Sequence, residues 1–89
     1  MPARSIHITG KVQNVCFRAA AQEKAKECGL CGWVRNTKQG GVEIYAEGDE
    51  NALDALEQWC HSGPSAAKVE RVTTKEAEQE GLSDFTIAY

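Results

Sequence analysis

The apolar residues of this chain switch from period 2 to period 3.6 and back, twice, within 89 residues. A strand requires the first rhythm and a helix the second, so the order of the switches sets the order of the elements. Ile6 and Ile8 alternate with Ser5, His7 and Thr9, which predicts a strand over 4–10. Gly10 to Cys16 reads as a loop. Phe17, Ala21, Ala25 and Cys28 then share one helical stripe, ended by Gly29, a residue suited to the left-handed position after a helix. Trp33 and Val34 belong to a second strand over 31–37. Gln39-Gly40-Gly41 reads as a hairpin turn, beyond which Val42, Ile44 and Ala46 alternate with Glu43, Tyr45 and Glu47. Asp49 is placed to cap a second helix carrying Ala52, Leu53, Leu56, Trp59 and Cys60, stopped by Ser62-Gly63-Pro64. Val69 and Val72 mark a fourth strand over 67–74, and Phe85, Ile87 and Tyr89 a fifth over 83–89. The polar stretch Lys75 to Gly81 between them reads as an exposed loop.

The order is therefore βαββαβ with a short strand added at the end. Alternating strands leave one sheet face to be covered and the other more polar. The expected class is α+β, a ferredoxin-like two-layer sandwich: an antiparallel sheet, two helices on one face and a short extra C-terminal strand. The length suits a single domain over 1–89, and no repeat, low-complexity tract or linker interrupts it. This fold serves enzymes, metal carriers, RNA binders and regulatory domains, so function has to be argued from a site.

Charge narrows the field. The formal net charge is −3, which gives no support to a nucleic-acid partner. The distribution is uneven: residues 1–38 hold seven Lys/Arg against two Asp/Glu, and residues 39–89 hold three against eleven. The N-terminal half is suited to a small anion while the whole stays acidic. The N-terminus has no apolar segment of signal-peptide type, and no apolar run approaches 18 residues. A cytoplasmic monomer without a membrane partner is expected, with Cys16, Cys28, Cys31 and Cys60 as free thiols.

The loop before the first helix holds the most informative residues. A helix N-terminus carries about half a positive charge and several unpaired N–H groups. The first turn here lacks an acidic residue and contains Arg18, with Lys11 nearby in the loop. Two readings fit. An anion, such as a phosphate, sits in the loop against the backbone and the guanidinium fork, or Arg18 simply faces solvent.

Gly10-Lys11-Val12-Gln13-Asn14-Val15-Cys16-Phe17-Arg18 resembles the acylphosphatase signature G-x-V-Q-G-V-x-F-R. Gly29-Leu30-Cys31-Gly32-Trp33-Val34-Arg35-Asn36 resembles the family's second block, G-L-x-G-W-V-x-N. Gly40-Gly41-Val42-Glu43-Ile44, Gly63-Pro64, Val69-Glu70 and Phe85-Thr86-Ile87 continue the resemblance at compatible spacing along nearly the whole chain. It implies the fold derived above and a hydrolase of acyl phosphates, releasing inorganic phosphate. Arg18 matches the phosphate-binding arginine, and Asn36 the asparagine that positions the attacking water. The backbone N–H groups of Gln13, Asn14, Val15, Cys16, Phe17 and Arg18 match the phosphate cradle. Asn14 departs from the family, which usually has glycine there. Asn is the best non-glycine occupant of the left-handed region, so the loop shape is expected to survive.

An acyl phosphate has a good carboxylate leaving group, so catalysis reduces to holding the phosphoryl oxygens and aligning water. Asn36 can steer a water but cannot act as a base near neutral pH. The resemblance implies that the phosphate itself takes the proton, with no metal and no cofactor.

Other features have plainer readings. Cys28-Gly29-Leu30-Cys31 has the spacing of a redox or zinc pair, but Cys28 is expected at the negative end of a helix, where a thiolate is not stabilised. Cys16 is expected to pack beside the cradle, with oxidative inactivation as the alternative. His7 should point to the open sheet face and His61 end the second helix; neither has a sequence partner that suggests a base. Trp33 and Trp59 are expected in the core. The rival reading is a non-catalytic ferredoxin-like binding or regulatory module, since similar domains occur inside larger carbamoyl-handling proteins. The RNA-binding use of the fold needs paired sheet aromatics, and Tyr45 alone on the polar face is thin support.

Overall fold

The computed structural model describes residues 2–89 and has the element order β1 (Ala3–Lys11), α1 (Phe17–Glu27), β2 (Cys31–Asn36), β3 (Val42–Glu47), α2 (Glu50–Cys60), β4 (Lys68–Ala77) and β5 (Phe85–Ile87). The sheet order is β4-β1-β3-β2-β5. β1 pairs antiparallel with β3 and β4, and β2 antiparallel with β3, while the short β5 runs parallel to β2.

The helical stripes and the strand alternation meet in one core. Ile6, Ile8, Val34, Val42, Ile44 and Ala46 of the sheet are buried against Phe17, Ala21 and Ala25 of α1 and Leu53, Leu56 and Cys60 of α2. Truncating a residue such as Leu53 or Leu56 to alanine would cost about 2–5 kcal/mol from lost burial and the cavity left behind. The helix ends follow local chemistry. Gly29, at φ 73°, closes α1 with N–H bonds from Gly29 to the Lys26 carbonyl and from Leu30 to the Ala25 carbonyl, a Schellman pattern. The Asp49 side chain accepts from the Asn51 N–H at 3.2 Å and starts α2. Among the described residues, no helix is long and apolar enough to cross a membrane.

Topology also places the site. β1 and β2 both run antiparallel to β3, and β5 runs with β2, so the carboxyl ends of β1, β2 and β5 emerge at the same end of the sheet. The N-terminus of α1 begins there, after an irregular loop of five residues (12–16) that follows Lys11. A register shift between Thr9 and Gly10 bends β1 just before it enters that loop. Gly10 is required at the bend, because a Cβ there would lie 2.2 Å from the Lys68 carbonyl oxygen.

Several expectations change. Lys75 to Gly81 is not simply an exposed loop: β4 continues through Ala77, and the N–H groups of Glu80, Gly81 and Leu82 all donate to the Glu47 carboxylate. This strap covers Tyr45 and Glu47, so the nominally polar side of β3 is buried at both residues. Trp33 is half-buried on the face away from the helices instead of in the core. Its ring stacks on Tyr45 at 6.0 Å and lies under the Arg35 guanidinium at 5.1 Å. Trp59 is partly buried and tilts against Phe17 at 5.3 Å, at the edge of the core. The last strand is confined to Phe85–Ile87, shorter than the alternation of Phe85, Ile87 and Tyr89 implies.

Candidate active site

The 12–16 loop is pinned at both ends by apolar anchors. Val12 and Phe17 are each buried in the core, Val15 between them packs partly buried against it, and Asn14 and Cys16 are exposed. Asn14 and Cys16 both have φ 62°. Cys16 is the N-cap of α1, and its left-handed conformation is followed by the helical Phe17. Such a left-then-right pair aims successive N–H groups into one concavity, the geometry of an anion-binding nest. The N-cap makes no side-chain hydrogen bond to the first turn, and the first turn holds no acidic residue. Asn14, at the left-handed φ that glycine would favour, is therefore not the helix cap.

Arg18 lies one residue inside the helix. Its Nη1 donates to the Ala88 carbonyl at 3.3 Å, a long bond, and its guanidinium sits 4.7 Å from the centroid of the Tyr89 ring. Among the described residues no carboxylate pairs with it, whereas Arg4 and Arg35 both have acidic partners. Arg4 meets Asp54 and Glu57 at 2.9 Å each, and Arg35 meets Glu43 at 2.6 Å. Asn36 ends β2 opposite Val42 and is half-buried. A cavity of about 380 Å³ joins these pieces, lined by Asn14, Cys16, Phe17, Arg18 and Asn36 with Ile87 and Tyr89 forming a further wall.

The structure separates the cradle residues into two groups. Asn14, Cys16, Phe17 and Arg18 border the cavity, while Gln13 and Val15 do not. The Gln13 side chain turns to the β2–β3 hairpin instead, with Nε2 donating to the carbonyls of Thr37 at 2.8 Å and Gly41 at 2.9 Å. Lys11 ends β1 opposite Lys68 and stays outside the cavity. Cys16 is exposed beside the cavity, not packed as expected. His7 is on the open face as expected, where Nε2 is 2.9 Å from Glu43 across the β1–β3 pair. All four cysteines are free, and Cys28 is the C-cap of α1. No group of three or more His, Cys, Asp or Glu side chains among the described residues is placed to hold a metal ion.

Sequence reasoning missed the wall supplied by Ile87 and Tyr89 and the Gln13 contacts. The first had a signal: Tyr89 continues the alternation of Phe85 and Ile87. The second had none, because Gln13 reaches residues 24 and 28 positions away.

Fold and site together define a two-layer sandwich with a cavity, bordered by a left-handed loop and a helix N-terminus, at the carboxyl ends of three strands. The acylphosphatase family model matches residues 4–87. An acylphosphatase of Marinobacter nauticus is 51% identical over 80 residues, covering 88% of this chain and 86% of the relative. The crystal structure of acylphosphatase from Bacillus subtilis superposes with a TM-score of 0.97 at 39% identity, covering 100% of both chains. Full-length HypF, in a phosphate- and nucleotide-bound form, contains a similar unit: TM-score 0.89, 30% identity, 99% of this chain but 12% of that one. The chain belongs to the acylphosphatase family, hydrolases of acyl phosphates.

Proposed function

We propose that the chain hydrolyses the carboxyl–phosphate bond of small acyl phosphates at the cavity beside α1, with Arg18 and Asn36 as its catalytic residues. One observation carries the reading: Arg18 from the start of α1 and Asn36 from the end of β2 border the same cavity as the left-handed cradle residues Asn14 and Cys16.

The chemistry asks little of the protein beyond placement. The backbone N–H groups of the 13–18 segment and the fork of Arg18 hold the phosphoryl oxygens, and they bind more tightly as charge spreads in the transition state. Arg18 gives up only a 3.3 Å bond and a ring contact to do so. The Asn36 amide oxygen accepts from a water and aligns it with phosphorus. The water oxygen forms the new P–O bond, the bond to the acyl oxygen breaks, and its electron pair leaves as a carboxylate. The water proton passes to a phosphoryl oxygen, so no side chain has to serve as base and no metal or cofactor takes part.

On this reading residues 1–89 form one domain, a monomer in the cytoplasm acting on a small molecule, without a nucleic-acid or membrane partner. Support comes from a hydrophobic cluster among the described residues that gathers β1, α1, β2, β3, α2 and β5, with Val69 and Val72 of β4 packed against it, and from a net charge of −3. The rival reading is a non-catalytic binding or regulatory module, since the same fold also occurs as a small part of the longer HypF chain; the presence of both Arg18 and Asn36 in this chain supports the enzyme.

The experiment is direct assay of the purified protein with benzoyl phosphate in the presence of a strong chelator. Hydrolysis undiminished by the chelator is expected. Activity that vanishes and returns with zinc or magnesium would overturn the metal-free mechanism. Phosphate binding without hydrolysis would favour the regulatory module.

A further inference from the structure

The proposed site is assembled from two pieces that are distant in sequence, the cradle after β1 and the end of β2 that carries Asn36. One side chain joins them. Gln13 contributes its backbone to the cradle segment and both of its amide protons to the hairpin, one to the Thr37 carbonyl at 2.8 Å and one to the Gly41 carbonyl at 2.9 Å. Both partners are acceptors, so only the NH₂ end of the amide fits, and its orientation is unambiguous.

The hairpin it grips is already braced. The Thr37 N–H donates to the Gly41 carbonyl at 2.9 Å, the Gly40 N–H to the Thr37 carbonyl at 3.2 Å, and the Gly41 N–H to the Thr37 hydroxyl at 3.0 Å. Thr37 is covalently next to Asn36, about 3.8 Å away from Cα to Cα. A clamp on the Thr37 carbonyl therefore sets where Asn36 stands relative to the phosphate cradle.

We propose that Gln13 is a positioning residue for the reaction, its amide holding Asn36 in register with the phosphate cradle. The inference rests on the hydrolytic reading above and adds a role that the cavity lining does not reveal, since Gln13 lies outside it. The Gln13 side chain touches neither the phosphoryl group nor the water. Its loss leaves the backbone cradle and Arg18 able to bind phosphate but lets the water-holding amide drift. A displacement of about 1 Å at a reacting group can cost on the order of 100-fold in rate.

Gln13→Met keeps the length and removes both donors, and Gln13→Glu turns a carboxylate toward two carbonyl oxygens. The expected result is a fall in kcat of roughly 10–100-fold in Gln13→Met and more in Gln13→Glu. The inhibition constant of inorganic phosphate should stay within about twofold in Gln13→Met. A double-mutant cycle gives the sharper reading. If Gln13 acts through Asn36, Gln13→Met adds little to the loss already caused by Asn36→Ala. Full multiplicative losses in the double variant, or equal falls in kcat and phosphate affinity, would overturn the positioning role and make Gln13 a general support of the loop. Thermal melts of each variant separate either result from unfolding. If the parent protein itself does not hydrolyse benzoyl phosphate, the hydrolytic reading fails on its own. The clamp is then read by amide NMR with phosphate titration: Gln13→Met should move the Asn36 side-chain NH₂ resonances while phosphate affinity holds, and unchanged Asn36 resonances would reject it.

Discussion

Tyr45 and Glu47 meet on the face of the sheet away from the helices, where the Tyr45 hydroxyl lies 2.7 Å from the Glu47 carboxylate, and both are almost completely buried. Burial alone would push the Glu47 carboxyl up. Hydrogen bonds from the Tyr45 hydroxyl and from the N–H groups of Glu80, Leu82 and Gly81 outweigh it and hold the carboxyl below its usual range. For Tyr45, burial comes first and the neighbouring Glu47 charge adds to it, so the phenol is pushed up to about 12. The strap that these two residues hold leads into β5 and then to Ala88 and Tyr89, against which Arg18 rests.

The pH dependence of stability follows from that pair. A carboxyl depressed in the folded protein stabilises it above the unfolded value, about 4.3 for Glu, and this support is lost as pH falls through the folded value. Tyr45 has the opposite sign: its contribution is present below the unfolded value of about 10 and is lost as pH rises toward 12. The melting temperature should drop on both flanks. Glu47→Gln should lower it at neutral pH and flatten the acid flank. Parallel melting curves for parent and variant between pH 2.5 and 7 would show that Glu47 is not the group responsible.

Arg18→Lys tests the guanidinium fork. The lysine keeps the charge but offers a single ammonium where two forked donors stood. The expected loss is at least ~100-fold in kcat/KM, since one oxyanion donor is worth ~2.7–4 kcal/mol. Arg18 is not a core residue, so the melting temperature should barely move. Near-normal turnover would remove Arg18 from the mechanism.

The cysteines should differ sharply in reactivity. Cys16 is exposed at the mouth of the cavity, whereas Cys60 is buried, and burial reinforced by the Glu57 charge pushes its thiol up to about 12. Alkylation of the native protein at neutral pH should label Cys16 and leave Cys60 untouched. Saturating inorganic phosphate should slow labelling at Cys16, and the labelled protein should lose activity because the adduct occupies the phosphate site. Peptide mapping by mass spectrometry reads both outcomes; labelling of Cys16 at the same rate with and without phosphate would place the anion elsewhere.

What the sequence makes legible is whatever repeats along it. Ile6 with Ile8, and Val42 with Ile44 and Ala46, declare the covered face of the sheet because burial recurs at every second residue. The same alternation assigns Tyr45 and Glu47 to the other face correctly but says nothing of what covers that face. The cover is a polar strap whose contribution is backbone N–H groups, invisible in side-chain composition. Trp33 is the converse error: apolarity suggested the core, while its position beside inward-pointing Val34 already required the opposite face. Of the proposed site, Arg18 and Asn36 were legible as candidates through two contiguous motifs, and the helix dipole pointed independently to the first; both border one cavity. The left-handed Cys16 and the Gln13 clamp were not, because each depends on how the loop closes against the hairpin.

Asn14 stands at φ 62°, at the position where the acylphosphatase signature that the loop resembles has glycine, and its backbone conformation decides what substitution there should do. Asn14→Gly should keep the fold and leave phosphate binding equal or tighter, because glycine visits the left-handed region without steric penalty. Any gain in stability should be small, since glycine also loosens the unfolded chain and offsets part of the roughly 1 kcal/mol of relieved strain. Asn14→Val should act in the other direction. A β-branched residue resists positive φ, so the loop must either carry strain of about 1–2 kcal/mol or swing to another conformation. Strain alone would lower the melting temperature and spare phosphate binding; a swing would weaken phosphate competition by moving the N–H groups that face the cavity. The measurement is the inhibition constant of inorganic phosphate in the parent and both variants, alongside thermal melts. Capping cannot account for a difference, because the N-cap of α1 is Cys16, two residues on. Equal inhibition constants with a lower melting temperature in Asn14→Val would mean that residue 14 bears backbone strain without shaping the cradle, while a weakened constant in Asn14→Val, restored in Asn14→Gly, would assign it the glycine's role in holding the phosphate loop open.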